Sequence, residues 1–176
     1  MSTLKSRVSE LLQSSRTRRL LPVLGFLLLP LIFFWPVIFG GKTLLPADNL
    51  FAYEPWRTFA SSLGVGAPHN ELLSDLILEN YVWKQFILQS LQQRLIPLWN
   101  PNLFAGGPFL AAGQQSGLYP FSVLYYVLPL SLAYGVFTWL HFFLSGLFTY
   151  LFALALGANR AGAFLAGVAF TFSAFM

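Results

Sequence analysis

Cysteine is absent from this chain, which removes disulfide frameworks, thiol nucleophiles and cysteine-based metal sites from consideration. Charge is scarce as well. Only 9% of the 176 residues are Asp, Glu, Lys or Arg, against about a quarter in an ordinary soluble domain, too few to coat a water-facing surface. No charged residue of either sign occurs from Leu95 to Asn159. What fills the space is apolar: 56% hydrophobic residues, 19 of them Phe, with a mean hydropathy of +0.65. In water such a chain would expose sticky patches, whereas in a bilayer the same side chains face their own solvent. The composition points to an integral membrane protein.

The few charges are placed unevenly. Lys5, Arg7, Arg16, Arg18 and Arg19 stand in the first nineteen residues against the single acid Glu10. The other five acids, Asp48, Glu54, Glu71, Asp75 and Glu79, all fall between residues 48 and 79. A nucleic-acid-binding protein would spread its basic residues over a folded face; here they are bunched before an apolar run, as in a cytoplasmic anchor beside a membrane span. No nucleic-acid partner is expected, and membrane lipids are.

The expected fold is all-α: a polytopic transmembrane helical protein with a large extracytoplasmic first loop that contains an amphipathic helix. Residues 1–19 form the basic cytoplasmic N-terminus. Residues 20–39, LLPVLGFLLLPLIFFWPVIF, are twenty apolar positions spanning ~30 Å at ~1.5 Å per residue, the thickness of a bilayer core. That run is longer than a signal-peptide core and ends in Gly40-Gly41-Lys42 rather than a small-residue cleavage site, so it reads as a retained first span, bent at Pro22, Pro30 and Pro36. Residues 40–120 then lie outside, in a segment too long for a mere connector.

Within that loop, residues 70–94 are expected to be helical. Asn70 is a good N-cap and Glu71 suits the first turn. Leu72, Leu73, Leu76, Ile77, Trp83, Ile87 and Leu91 recur at helical spacing, interrupted by Asn80 and Lys84. The helix suits the plane of the membrane surface. Residues 95–120 hold four prolines and four glycines, which forbid a long helix. Residues 121–156 are divided by Pro129 into a short hydrophobic helix and a second span at about 131–155. After a turn at Gly157–Arg160, residues 161–176 begin a third span that is still apolar where the sequence stops, so the chain is expected to be the first part of a longer protein.

The segments PADNLFAYEPWR at 46–57 and PLWNPNLFAGGPFLAAGQQSGLYPFSVLYYVLP at 97–129 carry a resemblance to a known family. An Asp shortly after the first span is followed in order by Pro97-Leu98-Trp99-Asn100-Pro101, Gly107-Pro108, Gln114 and Tyr119-Pro120. In this the chain resembles the YfhO-like family of bacterial membrane proteins, within the type C glycosyltransferase superfamily, over nearly all of its length after residue 20. Members of that family are much longer and have many more spans. The resemblance implies transfer of a sugar from a polyisoprenyl-phosphate lipid to an acceptor on the outer face of the cell membrane. A piece of such a protein would lack the rest of the substrate cavity, so activity of this stretch alone is not expected to follow.

That reaction needs a carboxylate to take the acceptor's proton and cations to steady the departing phosphate. Asp48 is the candidate base, about eight residues past the first span; its plainer reading is a turn residue in Pro46-Ala47-Asp48-Asn49. Glu71, Asp75 and Glu79 recur at i, i+4 and i+8, and Asp75 is the second candidate catalytic acid. Like charges at that spacing repel, and a divalent cation, a basic partner or plain solvent would each offset this; the choice stays open. Glu54 reads as a solvated acid. Arg57, Lys84 and Arg94 are the candidate phosphate-binding cations, with interface snorkelling as their plainer role. His69 alone makes a poor metal site, and His141 in the second span is expected to bond another helix. No metal-ligand set, P-loop or nucleophile elbow is present. The alternative is a non-catalytic multi-pass membrane protein, a transporter piece or a scaffold. A transporter would place ionisable groups inside its spans, where only His141 stands.

Overall fold

The computed structural model describes residues 15–173, with side chains from Leu20 onward. The basic N-terminal stretch therefore lies outside the described residues as far as position 14, and from Ser15 to Arg19 only backbone is described. The chain is mostly helical and divides into two units, residues 1–40 with 138–176, and residues 41–137.

Among its described residues the first unit has helices and the short turns between them, and no strand. Helix α1 runs Ser15–Phe33 and the short α2 Trp35–Ile38. The single span expected over 20–39 is therefore two pieces, because Pro36 has no N–H to offer Ile32 and its ring would meet that carbonyl. The chain breaks at Phe34 (φ −92°, ψ 12°) and restarts with Pro36 in the next helix's first turn. Helix α5, Leu130–Ala155, starts in the other unit and gives this one its residues from Thr138 on; it agrees with the span expected at about 131–155. After Gly157 (φ +90°), Asn159 caps α6, Arg160–Thr171, by accepting the Gly162 N–H at 2.8 Å. Among the described residues, α5 is the one helix long and apolar enough to cross a membrane; Leu20–Phe33 and α6 are apolar but shorter.

These helices alternate in direction. Phe26 packs on Tyr150 and Phe164, Phe34 on Phe142, and Phe33 on Phe172, so α1 and α6 run together and α5 runs against both. The seam is made by missing side chains. A Cβ at Gly146 would stand 2.5 Å from the Phe26 ring, and one at Gly167 would stand 2.5 Å from the same ring and 2.8 Å from the Gly146 carbonyl oxygen. Phe26 is thereby buried against two backbones, the small-residue device that lets apolar helices approach closely. Pro30 leaves the Phe26 carbonyl without its helical donor, and the Trp139 indole reaches the neighbouring Leu27 carbonyl at 3.2 Å.

The second unit is built on the expected outer helix. Asn70 accepts the Leu72 N–H at 3.0 Å and opens it. It runs as a 3-10 turn Glu71–Leu73, a π-helical segment Leu76–Asn80 and then α3, Tyr81–Gln92. The loop after it is not wholly irregular. Trp99–Asn100 (β1) pairs antiparallel with Gly107–Pro108 (β2), Trp99 opposite Pro108, a short ladder that an all-α reading omits. Gly106 takes φ +93°, and a Cβ there would stand 2.5 Å from the Trp99 indole nitrogen, so glycine serves both turn and packing. The 3-10 turn Pro120–Ser122 leads into α4, Val123–Val127, which ends before Pro129 as expected. Tyr125, Ala133 and Tyr134 form the buried centre, with Leu44, Leu45, Leu76 and Tyr81 among the side chains packed on it.

Candidate functional site

The polar residues that interrupt the apolar face of the helix over residues 71–92 are the ones the second unit is anchored on. Lys84 is 1% exposed. Its Nζ donates to the Gln115 carbonyl at 2.6 Å and the Ser116 Oγ at 3.0 Å, and lies 4.7 Å over the Tyr125 ring. Burial pushes its pKa down to about 8. Lys84 is therefore not at the surface with its stem in an interface; its ammonium is enclosed and committed to the loop. The loop answers with three successive carbonyls: Gln115 takes Lys84, Ser116 takes the Ser122 hydroxyl at 2.7 Å, and Gly117 takes the Tyr126 hydroxyl at 2.7 Å. Asn80 accepts the Tyr134 hydroxyl at 2.8 Å. Buried polar groups this fully paired rigidify what they join, and here they fix the 113–117 loop to α3 and α4.

That loop lines two adjoining cavities. One, about 270 Å³, is lined by Asp75, Glu79, Asn80, Trp83 and Gln114 with Leu72, Leu73 and Leu76. The other, about 130 Å³, shares Trp83 and Gln114 and adds Asn100, Gln115 and the Gly107–Phe109 strand end. The i, i+4, i+8 expectation for the acids holds in part. Asp75 and Glu79 share a wall, whereas Glu71 stands in the tighter 3-10 turn Glu71–Leu73, which breaks the 3.6-residue register ahead of Asp75, and is not on it. Of the family-like motif, Asn100, Gly107-Pro108 and Gln114 line these cavities; neighbouring Gln115 lines the smaller one and is a buried amide, donating to the Leu110 carbonyl at 3.2 Å.

Asp48 sits in the first turn of the 3-10 helix Ala47–Ala52, which packs against the Leu76–Asn80 segment. Its Oδ2 accepts the His69 backbone N–H at 2.8 Å and meets His69 Nδ1 at 2.9 Å. A carboxylate can only accept, so Nδ1 carries the proton and Nε2 is left open; the ring is 97% exposed. The two N–H groups, the backbone one first, hold the Asp48 carboxyl below the usual carboxylate range. The next residue repeats the link, Asn49 Nδ2 donating to the Asn70 carbonyl at 3.1 Å. Two consecutive residues of the turn are thus tied to the two that open the acid-bearing helix. The pairing of Asp48 with a histidine twenty-one residues on had no spacing signal in the sequence.

The remaining candidates stand apart from this cleft. Arg57 is exposed in the 3-10 turn Trp56–Phe59, and Arg94 is exposed just past α3 at φ +59°. Glu54 accepts from the Thr58 hydroxyl at 2.9 Å. His141 lies on α5 in the first unit. Among the described residues no three His, Asp or Glu side chains come together as a metal-binding set. Comparison with protein-family models, curated proteins and solved structures yields no match for this chain.

Proposed function

We propose that this chain belongs to a multi-pass membrane glycosyltransferase, with its N-terminus in the cytoplasm and residues 40–120 on the outer face, acting on a sugar carried by a polyisoprenyl phosphate. The observation that carries the reading is the tie between the Asp48 turn and the helix bearing the Asp75–Glu79 cleft. A tryptophan face with converging amides and carboxylates is a surface suited to a sugar ring and its hydroxyls. In the reaction an acceptor hydroxyl attacks the sugar's anomeric carbon. The carbon–oxygen bond to the phosphate breaks, and the lipid phosphate leaves with the bonding electrons. The hydroxyl proton passes to the Asp48–His69 pair, where His69 Nε2 is the open acceptor and Asp48 steadies the charged imidazole, the division of labour of a carboxylate–histidine couple. Asp75 and Glu79 hold the sugar. Arg57 and Arg94 are left to attract the phosphate, and Lys84 acts from beneath by fixing the loop.

Two further features support the membrane arrangement. The three apolar helices alternate in direction, and the outer helix presents Leu72 with 91% of its surface exposed, as a membrane-surface helix would. Because the chain has no cysteine, single-cysteine variants test the topology directly. Ser62→Cys is expected to react with an impermeant reagent from outside and Ala158→Cys only after lysis; the reverse pattern overturns the orientation. For activity, membranes holding the full-length protein that carries this stretch are supplied with radiolabelled polyisoprenyl-phosphate hexoses. Asp48→Asn and His69→Ala are each expected to cut transfer by roughly 10²-fold or more, Asp75→Asn to weaken it, and Glu54→Gln to leave it unchanged. Normal transfer by both Asp48→Asn and His69→Ala would refute the glycosyltransferase reading of this site.

A further inference from the structure

A larger cavity, about 420 Å³, lies in the first unit, far in chemistry from the acid-lined cleft. It is lined by Leu21 and Pro22 at the start of α1 and by Arg160, Ala161 and Phe164 at the start of α6. All but one of these are apolar; the exception is a guanidinium. From the geometry we infer that this groove holds one anionic phospholipid, its acyl chain along Leu21, Pro22, Ala161 and Phe164 and its phosphate on Arg160.

The two helices start at the same end of the unit, since α1 and α6 run together. Arginine is concentrated at that end. Arg160 is the first residue of α6, and Arg16, Arg18 and Arg19 stand in the first five positions of α1, Arg18 one turn before Leu21 and Pro22. No acidic residue lies within either helix. A basic pocket between apolar helices at their positively charged end has the chemistry of an anionic headgroup site. A guanidinium fork takes two phosphate oxygens at once. A zwitterionic headgroup would bring its own cation to the same place, so the site discriminates by charge. The groove stays open because Phe164 turns its ring inward onto Phe26 and Gly25, where a Cβ at Gly25 would stand 2.8 Å from it. That ring is spent on the helix seam, and beside it Ala161 has only a methyl group to offer.

Native mass spectrometry of the full chain, released from detergent with either phosphatidylglycerol or phosphatidylcholine added, tests this without reference to sugar transfer. The unaltered chain is expected to retain one phosphatidylglycerol in preference to phosphatidylcholine. R160Q is expected to lose that preference by roughly five-fold, the effect of one arginine at a lipid headgroup, while A161W, whose ring fills the groove, loses retention of both lipids. R160Q removes an exposed side chain, so its loss of preference would not reflect misfolding. Equal retention of the two lipids by the unaltered chain, or an unchanged preference in R160Q, overturns the proposal. If free phosphate abolishes the preference but lipid stays bound equally well, Arg160 is a simple anion site and the lipid assignment fails. If A161W instead splits a dimer while lipid retention is untouched, the groove's occupant is a second copy of the chain. Failure here leaves the Asp48–His69 reading intact, because the two tests share no residue and no readout.

Discussion

The two units are held together by opposite means. In the first, what matters is what is missing: Gly146 and Gly167 have no side chain, so Phe26 reaches two backbones. In the second, what matters is polar chemistry in buried places, where Lys84, Ser122 and Tyr126 each donate to one carbonyl of a single loop. The difference follows from what each unit must position. Apolar helices need only approach one another, and dispersion rewards the closest fit. A loop rich in proline and glycine makes few ladder bonds of its own, so side chains must supply the donors its carbonyls lack.

The largest effect should come from refilling the missing space. Gly167→Leu puts a branched side chain where even a Cβ meets the Phe26 ring at 2.5 Å and a backbone oxygen at 2.8 Å. The ring can rotate, but the backbone oxygen moves only with its helix. Overpacking of this kind costs about 3 kcal/mol, and thermal unfolding in detergent should register it as a clear drop in midpoint. If the leucine is tolerated, glycine is not what allows these helices to meet, and the contrast between the units loses one side.

Next in size is the buried ammonium. Lys84→Met keeps the stem and removes the charge, leaving the Gln115 carbonyl unpaired at a cost of about 1–3 kcal/mol. Part of this is offset because a charge no longer has to be buried. The pH dependence is the sharper reading. In the folded chain Lys84 gives up its proton near pH 8, below its ordinary value of 10.5. Between those two pH values the unfolded chain holds the extra proton, so stability should rise with pH, at up to about 1.4 kcal/mol per unit, and be flat below. Burial raises the pKa of Tyr125 and Tyr126, and from about pH 10 these reverse the trend, since the unfolded tyrosines ionise first. Lys84→Met should abolish the rise between pH 8 and 10. A rise that survives in the variant would show that another group produces it.

The sequence showed the elements more readily than the contacts. Leu130–Ala155, the cap at Asn70 and the end of the short helix before Pro129 follow from hydropathy, capping and proline geometry, which are local rules. Two readings went astray for one reason. Asn80 and Lys84 looked like flaws in an apolar face, yet they are the side chains that bind Tyr134 and the Gln115–Ser116 backbone. Helical periodicity sorts residues by polarity and cannot see a carbonyl thirty-one residues away that needs a donor. Likewise the spacing of Glu71, Asp75 and Glu79 assumed 3.6 residues per turn throughout, and one 3-10 turn at the helix start was enough to remove Glu71 from the group. Asp48 stood out by its distance from the first span, but its partner His69 is set by how two turns dock, and nothing in the spacing announces that.

The smallest expected effect separates the units most cleanly, because the same chemical group should act with opposite sign in each. Ser122 and Thr171 are both hydroxyls with almost no exposure. Ser122 donates to the Ser116 carbonyl at 2.7 Å, so Ser122→Ala strands that carbonyl in the interior and should cost about 1 kcal/mol. The Thr171 Oγ1 is buried with no hydrogen-bond partner among the described residues, facing Gly146 between α5 and α6. An unpaired hydroxyl gains nothing from the fold and has given up its hydration. Thr171→Val keeps the branched shape and replaces that oxygen by a methyl group, so it should be neutral or stabilise by up to about 1 kcal/mol. The two variants are compared in one detergent by the shift in unfolding midpoint. Opposite signs are what a carbonyl-pinned unit and a packing-held unit require. If Thr171→Val destabilises as much as Ser122→Ala, the threonine hydroxyl is bonded after all, and polar pairing organises the apolar helices as it does the loop.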